Sequence, residues 1–187
     1  MALPQDVGPE YSAFDHEGPW SVEDVLALPE DQHQRVEVVD GTLLVSPLGV
    51  YRHQRLLFRI AMALESACPA GLEATSGINV QVASDSLLIP DFTVNTPGPH
   101  GLAVHVEDLV LVGEVVSPST RFKDYGIKRQ RYAEAGVPFY LLVDPKDDIA
   151  VATLFELEDG EYVEVARSEA GELKLDRPFP VTIELSA

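Results

Sequence analysis

Apolar and polar positions alternate along this chain in a rhythm that changes several times, and each change marks an element. Ser21-Val22-Glu23-Asp24 has the form of a helix start. Ser21 is placed to cap and Asp24, three residues later, to cap in return, with Pro29 ending the helix. Positions 36–39 and 42–45 carry β-branched and apolar residues on either side of Asp40-Gly41, the strongest short hairpin signal. Leu56, Leu57, Ile60, Ala63, Leu64 and Ala67 then recur at three- and four-residue spacing, which predicts a helix over 53–68 closed by Pro69 and Gly71.

Strand patterns follow at 72–75, 78–83 and 88–95, with a Pro/Gly-rich loop over 96–108. Residues 109–116 are apolar apart from Glu114, which suggests a central strand covered by helices on each side. A second helix is expected over 122–135, with Gly136 and Pro138 as its stop. Positions 139–143 form another buried strand. A second hairpin turns at Asp159-Gly160, between 149–157 and 162–166, and 181–185 is expected as an edge strand. The order of elements predicts one α/β domain with a mixed sheet over 19–187, preceded by a poorly ordered arm over 1–18 that is rich in Pro and Gly.

Composition narrows the possibilities. The 187 residues hold 13 Lys+Arg against 31 Asp+Glu, a net charge of −18. Such a balance argues against a tight non-specific DNA coat, which needs Lys and Arg at phosphates, and against adsorption on anionic lipid. The single cysteine, Cys68, excludes an internal disulfide framework and a Cys-rich zinc site. No apolar run approaches the roughly 20 residues of a spanning helix. The first basic residue is Arg35, so no basic signal-peptide start is read, and a cytoplasmic protein is expected.

Two apolar strands each carry one carboxylate out of pattern, Asp91 after Ile89-Pro90 and Glu114 within 109–116. A buried carboxylate needs a cation or hydrogen-bond donors. Two of them on adjacent strands would suit Mg²⁺, a hard cation that takes oxygen ligands and keeps some of its waters. The alternative is a pair of structural ion pairs. Eight of the 13 basic residues fall in two segments, 52–59 and 121–131. Solvated helix faces are the usual fate of such residues. A basic patch beside paired carboxylates in so acidic a chain is poorly explained by solubility. Asp124 lies four residues before Lys128, so a helical ion pair is the competing use of that lysine. No Gly-x-Ser-x-Gly elbow, phosphate loop or dinucleotide fingerprint is present. Ser117, Ser119 and Thr120 read as capping residues, and His100 and His105 lack the cysteine partners of a zinc site.

Several runs occur in a fixed order: Val36-Glu37-Val38-Val39-Asp40-Gly41, Arg52-His53-Gln54, Pro90-Asp91 and Glu114-Val115-Val116-Ser117-Pro118-Ser119-Thr120. Asp124, Lys128, Tyr132, Ala135-Gly136-Val137-Pro138 and Val143-Asp144-Pro145 follow. Over about residues 20–185 this resembles the Uma-type putative restriction endonuclease family of the PD-(D/E)XK nuclease superfamily. The resemblance implies a restriction-endonuclease-like core, a central mixed sheet flanked by helices. It implies Mg²⁺, with Mn²⁺ able to substitute, held by Asp91, Glu114 and the carbonyl of Val115. Val116 stands where the superfamily usually has its lysine, and Lys128 on the next helix takes that place. Glu37 matches a further acidic position, and His53 also matches. Asp91, Glu114, Lys128 and Glu37 are the expected catalytic set. Arg52, His53, Arg55, Arg121 and Lys123 are the expected nucleic-acid contacts.

The implied reaction is hydrolysis of DNA phosphodiester bonds; a homodimer is expected, since duplex cleavage needs two sites and most soluble oligomers are symmetric. Two rivals stand beside it. One is a non-catalytic nucleic-acid or protein interaction module on the same fold. The other is a carboxylate hydrolase of a small substrate, which would have no basic side chain between its carboxyls.

Overall fold

The computed structural model describes residues 16–28, 34–47, 49–99, 101–117, 123–145 and 149–185. Of Lys123 and Asp124 only the backbone is described. Most of the expected arm, and His100, Ser119, Thr120 and Arg121, lie outside these residues.

Helix α1 (Val22–Leu26) starts with the expected reciprocal cap. The Asp24 amide donates to Ser21 Oγ, and the Ser21 amide donates to the Asp24 carboxylate. Strands β1 (Gln34–Val39) and β2 (Thr42–Pro47) pair antiparallel around Asp40 and Gly41. Both turn residues have positive φ, 49° and 72°, as a two-residue hairpin with the strands' own twist requires. The Trp20 amide donates to the Gly41 carbonyl, and the Trp20 ring, stacked on His16, packs with Val38 and Leu87.

Helix α2 (Tyr51–Ala67) buries the expected stripe, and His53 with it. Beyond it run β3 (Glu73–Ser76), β4 (Val80–Ala83), β5 (Ser86–Leu88), β6 (Phe92–Asn95), β7 (Val104–His105) and β8 (Leu109–Val115). A π-helical segment, Lys123–Lys128, leads into α3 (Arg129–Glu134). Strands β9 (Phe139–Asp144), β10 (Val151–Glu158), β11 (Glu161–Arg167), β12 (Glu172–Leu175) and β13 (Val181–Glu184) complete the chain.

The strands form two larger sheets and a hairpin. The six-stranded sheet has the order β11-β10-β9-β8-β6-β3, and the five-stranded sheet the order β2-β1-β5-β4-β7. Strands β8 and β9 run parallel, joined through α3, while their sheet neighbours pair antiparallel. One face of the large sheet packs under α2 and the β12–β13 hairpin. Its other face packs Val112, Val116 and Tyr140 against Tyr132 of α3 and against Val39, Val80 and Leu88 of the five-stranded sheet.

Three expectations change. The strand read over 88–95 is two strands in different sheets, separated at Ile89-Pro90-Asp91; proline has no N–H for either ladder, so the chain leaves one sheet and enters the other there. The second face of β8 is covered by α3 together with a sheet, not by a helix alone. Strand β13 pairs with β12 and not with the edge of the large sheet.

Candidate active site

The point where the chain crosses between sheets is where the chemistry collects. The antiparallel register pairs Phe92 with Gly113, so Asp91, one step before β6, falls opposite Glu114 on β8. The Asp91 amide donates to the Gly113 carbonyl at 3.0 Å and extends this ladder. Close approach of the two strands depends on Gly113, because a Cβ there would come within 2.0 Å of the Phe92 ring.

Four charged side chains of this cluster are almost wholly buried: Asp91 (1%), Glu114 (2%), Glu37 (2%) and Lys128 (3%). Asp91 Oδ1 accepts from Arg35 Nη1 at 2.6 Å. Its Oδ2 accepts from the Val115 amide at 2.7 Å and lies 3.2 Å from His53 Nε2. His53 Nε2 is also 2.9 Å from the Val115 carbonyl. Both neighbours are acceptors, so Nε2 must carry the proton. His53 Nδ1 is buried with no partner among the described residues. The ring fits there because residue 49 is glycine; a Cβ at that position would lie 2.5 Å from Nδ1.

Lys128 reaches back from the π-helical segment. Its Nζ is 2.8 Å from Glu37 Oε1 and 3.0 Å from Glu114 Oε1. Tyr132, one turn further on, donates its hydroxyl to the same Glu114 oxygen at 3.1 Å, and the Ile89 amide donates to Glu37 Oε1 at 2.8 Å. A long side chain on the crossover helix thus brings an ammonium to the strand carboxylates although Val116 is apolar and packs in the core. Insertion of a π-turn resets the side-chain phase of a helix, and such turns recur at functional sites.

These contacts set the charge states. Burial pushes the Asp91 carboxyl up, but the hydrogen bond from His53, the charges of Arg35 and His53 and the Val115 amide outweigh it, and its pKa lies below the ordinary value. Burial pushes His53 down. The Asp91 hydrogen bond and charge, with the Val115 carbonyl, outweigh it, so the imidazole holds its proton more tightly than usual. Burial, then the charges of Glu114 and Glu37, push the Tyr132 phenol well above its ordinary value and keep it a donor.

Asp91, Glu114, Val115, Glu37, Lys128 and His53 are therefore brought together. Arg52 and Arg55 lie apart, exposed on the outer side of α2, whereas His53 of the same helix turns into the cluster. Arg121 and the Lys123 side chain lie outside the described residues, as does the Asp124 side chain. Among the other basic residues of 121–131, Arg129 donates to the Tyr162 carbonyl and sits 4.3 Å over the Phe155 ring. Arg131 pairs with Asp40 and Glu134. Both are held structurally, and the second basic segment offers less free charge than its sequence promised. Sequence reading gave no role to Arg35 or Tyr132. The signals were there: Arg35 is two residues from Glu37 and shares its strand face, and Tyr132 is one helical turn from Lys128.

Among the described residues no three His, Cys, Asp or Glu side chains are spaced to hold a metal ion. The donor chemistry still suits Mg²⁺, which is commonly held by one or two carboxylates with water completing its shell. Asp91, Glu114 and the Val115 carbonyl are all hard oxygen donors. A cation here would have to displace Arg35 or His53 from Asp91.

The family model described as "Putative restriction endonuclease", Uma2, matches residues 22–187. The chain belongs to this family. No curated protein matches it. Among solved structures, one match is a crystal structure of a putative nuclease belonging to DUF820 from Anabaena variabilis ATCC 29413. The TM-score is 0.65 and the identity 16%, over 86% of this chain and 90% of that one. At that identity the likeness speaks for the fold, an α/β architecture shared with a nuclease-like protein. Among the described residues of this Uma2 member no helix is long and apolar enough to cross a membrane.

Proposed function

We propose that this Uma2 protein is a Mg²⁺-dependent endonuclease that hydrolyses phosphodiester bonds in DNA. The observation that carries the reading is the Lys128 ammonium, 3.0 Å from Glu114 on β8, next to the strand pair that sets Asp91 opposite Glu114. Asp91, Glu114 and the Val115 carbonyl would hold the cation. When bound, it would polarise the scissile phosphate and lower the pKa of a water.

The chain's own groups supply the rest. The Lys128 ammonium lies where it can orient a nucleophilic water or balance charge growing at phosphorus. Glu37 and Tyr132 fix that ammonium and the Glu114 carboxylate in place. His53 holds the Val115 carbonyl and Asp91 in register. Arg52 and Arg55 face outward, placed for backbone phosphates. A homodimer would present two such sites to the two strands of a duplex. A basic side chain on the carboxylate argues against the small-substrate carboxylate hydrolase.

The test is cleavage of supercoiled and linear DNA with Mg²⁺ or Mn²⁺. Asp91→Ala, Glu114→Ala and Lys128→Ala are each expected to lower the rate at least about a hundredfold, the usual scale for losing a positioned electrostatic group. Cleavage that survives all three changes would refute the assignment.

One observation favours the non-catalytic module instead. Asp91 is committed on both oxygens, to Arg35 on one and to Val115 and His53 on the other, as in a structural ion-pair network. A calorimetric titration showing no Mg²⁺ or Mn²⁺ binding that depends on Asp91 and Glu114 would decide for that reading.

A further inference from the structure

On its outer side, helix α2 lines a cavity of about 170 Å³. Its floor is apolar, built from Leu56, Pro145 and Ala150, and its rim carries Arg52, Arg55 and Arg59. The chemistry of this lining is unusual for the chain. These arginines are the basic residues of a helix whose one acidic residue is Glu65, in a protein of net charge −18. Among the described residues neither Arg52 nor Arg55 forms an ion pair. At helical spacing they share one flank with Leu56, so their charge borders the cavity. Tyr51, also at the mouth, is 79% exposed.

An apolar hollow rimmed by guanidinium groups suits a ligand with a flat aromatic body and negative charge at its edge. A cavity of roughly 150 Å³ already holds a benzene ring. Guanidinium planes stack on bases and grip phosphates, and an exposed tyrosine adds a stacking face.

The position narrows the ligand further. His53, between Arg52 and Arg55 in sequence, turns inward to the Val115 carbonyl, so one helix carries both the cavity rim and a member of the carboxylate cluster. Pro145 follows the end of β9, which runs parallel to β8 with Val143 beside Val115. On the endonuclease reading, a strand held against this helix would present a nucleotide to the cavity.

We infer that the cavity under α2 is a nucleobase pocket: it takes up one unstacked base of a single strand, or of a locally opened duplex, while Arg52 and Arg55 hold its flanking phosphates. The inference rests on the endonuclease reading for its substrate class, but its site is separate from the carboxylates.

The test uses full-length protein without metal, so that no cleavage occurs. Two oligodeoxynucleotides of equal length are titrated, one carrying 2-aminopurine and one with abasic positions. The intact strand is expected to bind at least about fivefold tighter than the abasic one, the low end of stacking on a protein surface. The 2-aminopurine emission should change on binding and lose that change in Tyr51→Ala. Arg52→Ala with Arg55→Ala should weaken the intact strand about tenfold or more and flatten its salt dependence. All three positions are exposed, and unchanged melting of the variants will show that the fold is kept.

Equal affinity for intact and abasic strands overturns the pocket and leaves the arginines as plain phosphate contacts. Absence of any binding also overturns it. Base-dependent binding is read without metal and cleavage with it, so failure of the pocket and failure of the endonuclease reading give different results. Cleavage lost in Asp91→Ala with no base-dependent binding removes the pocket alone. Base-dependent binding without cleavage in the parent removes the endonuclease alone.

Discussion

Replacing Lys128 by methionine would take a positive charge out of the interior while keeping most of the volume of its stem. The ammonium lies 2.8 Å from Glu37 and 3.0 Å from Glu114, and all three residues are 2–3% exposed. At such distances each contact is worth roughly 6 kcal/mol of Coulomb energy at an effective dielectric of 20, before desolvation is subtracted. The net loss on removing one partner of a buried ion pair is smaller, about 3–5 kcal/mol, and arises mostly from the carboxylates left behind. For a domain of this size, 1 kcal/mol shifts the melting temperature by about 2–4 °C, so Lys128→Met is expected to melt about 6–20 °C lower. Circular dichroism melting with a urea titration reads this directly. Adding Glu37→Gln and Glu114→Gln to Lys128→Met should return much of the loss, since amides remove the stranded charges; these sites touch, and their effects will not add. A Lys128→Met protein melting within about 2 °C of the parent would refute the reasoning. So would a triple variant less stable than the single one.

Three further outcomes follow from the same geometry. Arg35→Gln frees Asp91 Oδ1, so calorimetric titration should find Mn²⁺ bound about tenfold or more tightly, the value of one charge-assisted hydrogen bond; unchanged or weaker binding would show that Arg35 does not compete with the cation. Gly113→Ala forces a methyl group into the Phe92 ring and is expected to cost at least about 1–3 kcal/mol in urea unfolding, so a variant as stable as the parent contradicts the strand packing described. Stability without metal should fall on both sides of mildly acidic pH. The depressed Asp91 pKa contributes stability present above its unfolded value of about 3.9 and lost as pH falls through the folded value. The raised His53 pKa contributes stability that is full below about 6.5 and lost as pH rises through its folded value. Urea midpoints against pH should therefore lose part of their alkaline decline in His53→Gln, and an unaltered decline there counts against the His53–Asp91 pair.

Much of the local structure could be read directly because its causes are local. The Ser21–Asp24 cap needs two side chains three residues apart. The Asp40-Gly41 turn needs two residues that accept positive φ. Helix α2 needs only its apolar period, and β8 and β9 only their runs of apolar residues. Asp91 and Glu114 stood out for a similar reason, as carboxylates in segments that otherwise ask for burial, and Lys128 through the family pattern.

What the linear pattern did not reveal depends on partners far along the chain. No local rule tells which ladder residues 86–95 join, and the division at Ile89-Pro90-Asp91 follows from two sheets competing for one segment. Whether the arginines of 121–131 face a ligand or fold inward is decided by Tyr162, Phe155 and Asp40, which lie 33, 26 and 91 positions from the arginines they meet. Sequence alone marked Asp91 and Glu114 as charges carried into the interior, because each stands in a run whose own neighbours ask for burial. The tertiary structure decided how those charges are matched. Arg35 and His53 close on Asp91, and Lys128 bridges Glu37 and Glu114, because the crossing between two sheets, the crossover helix and α2 meet at one point. Electrostatic partnership falls steeply with distance in space and is indifferent to distance in sequence.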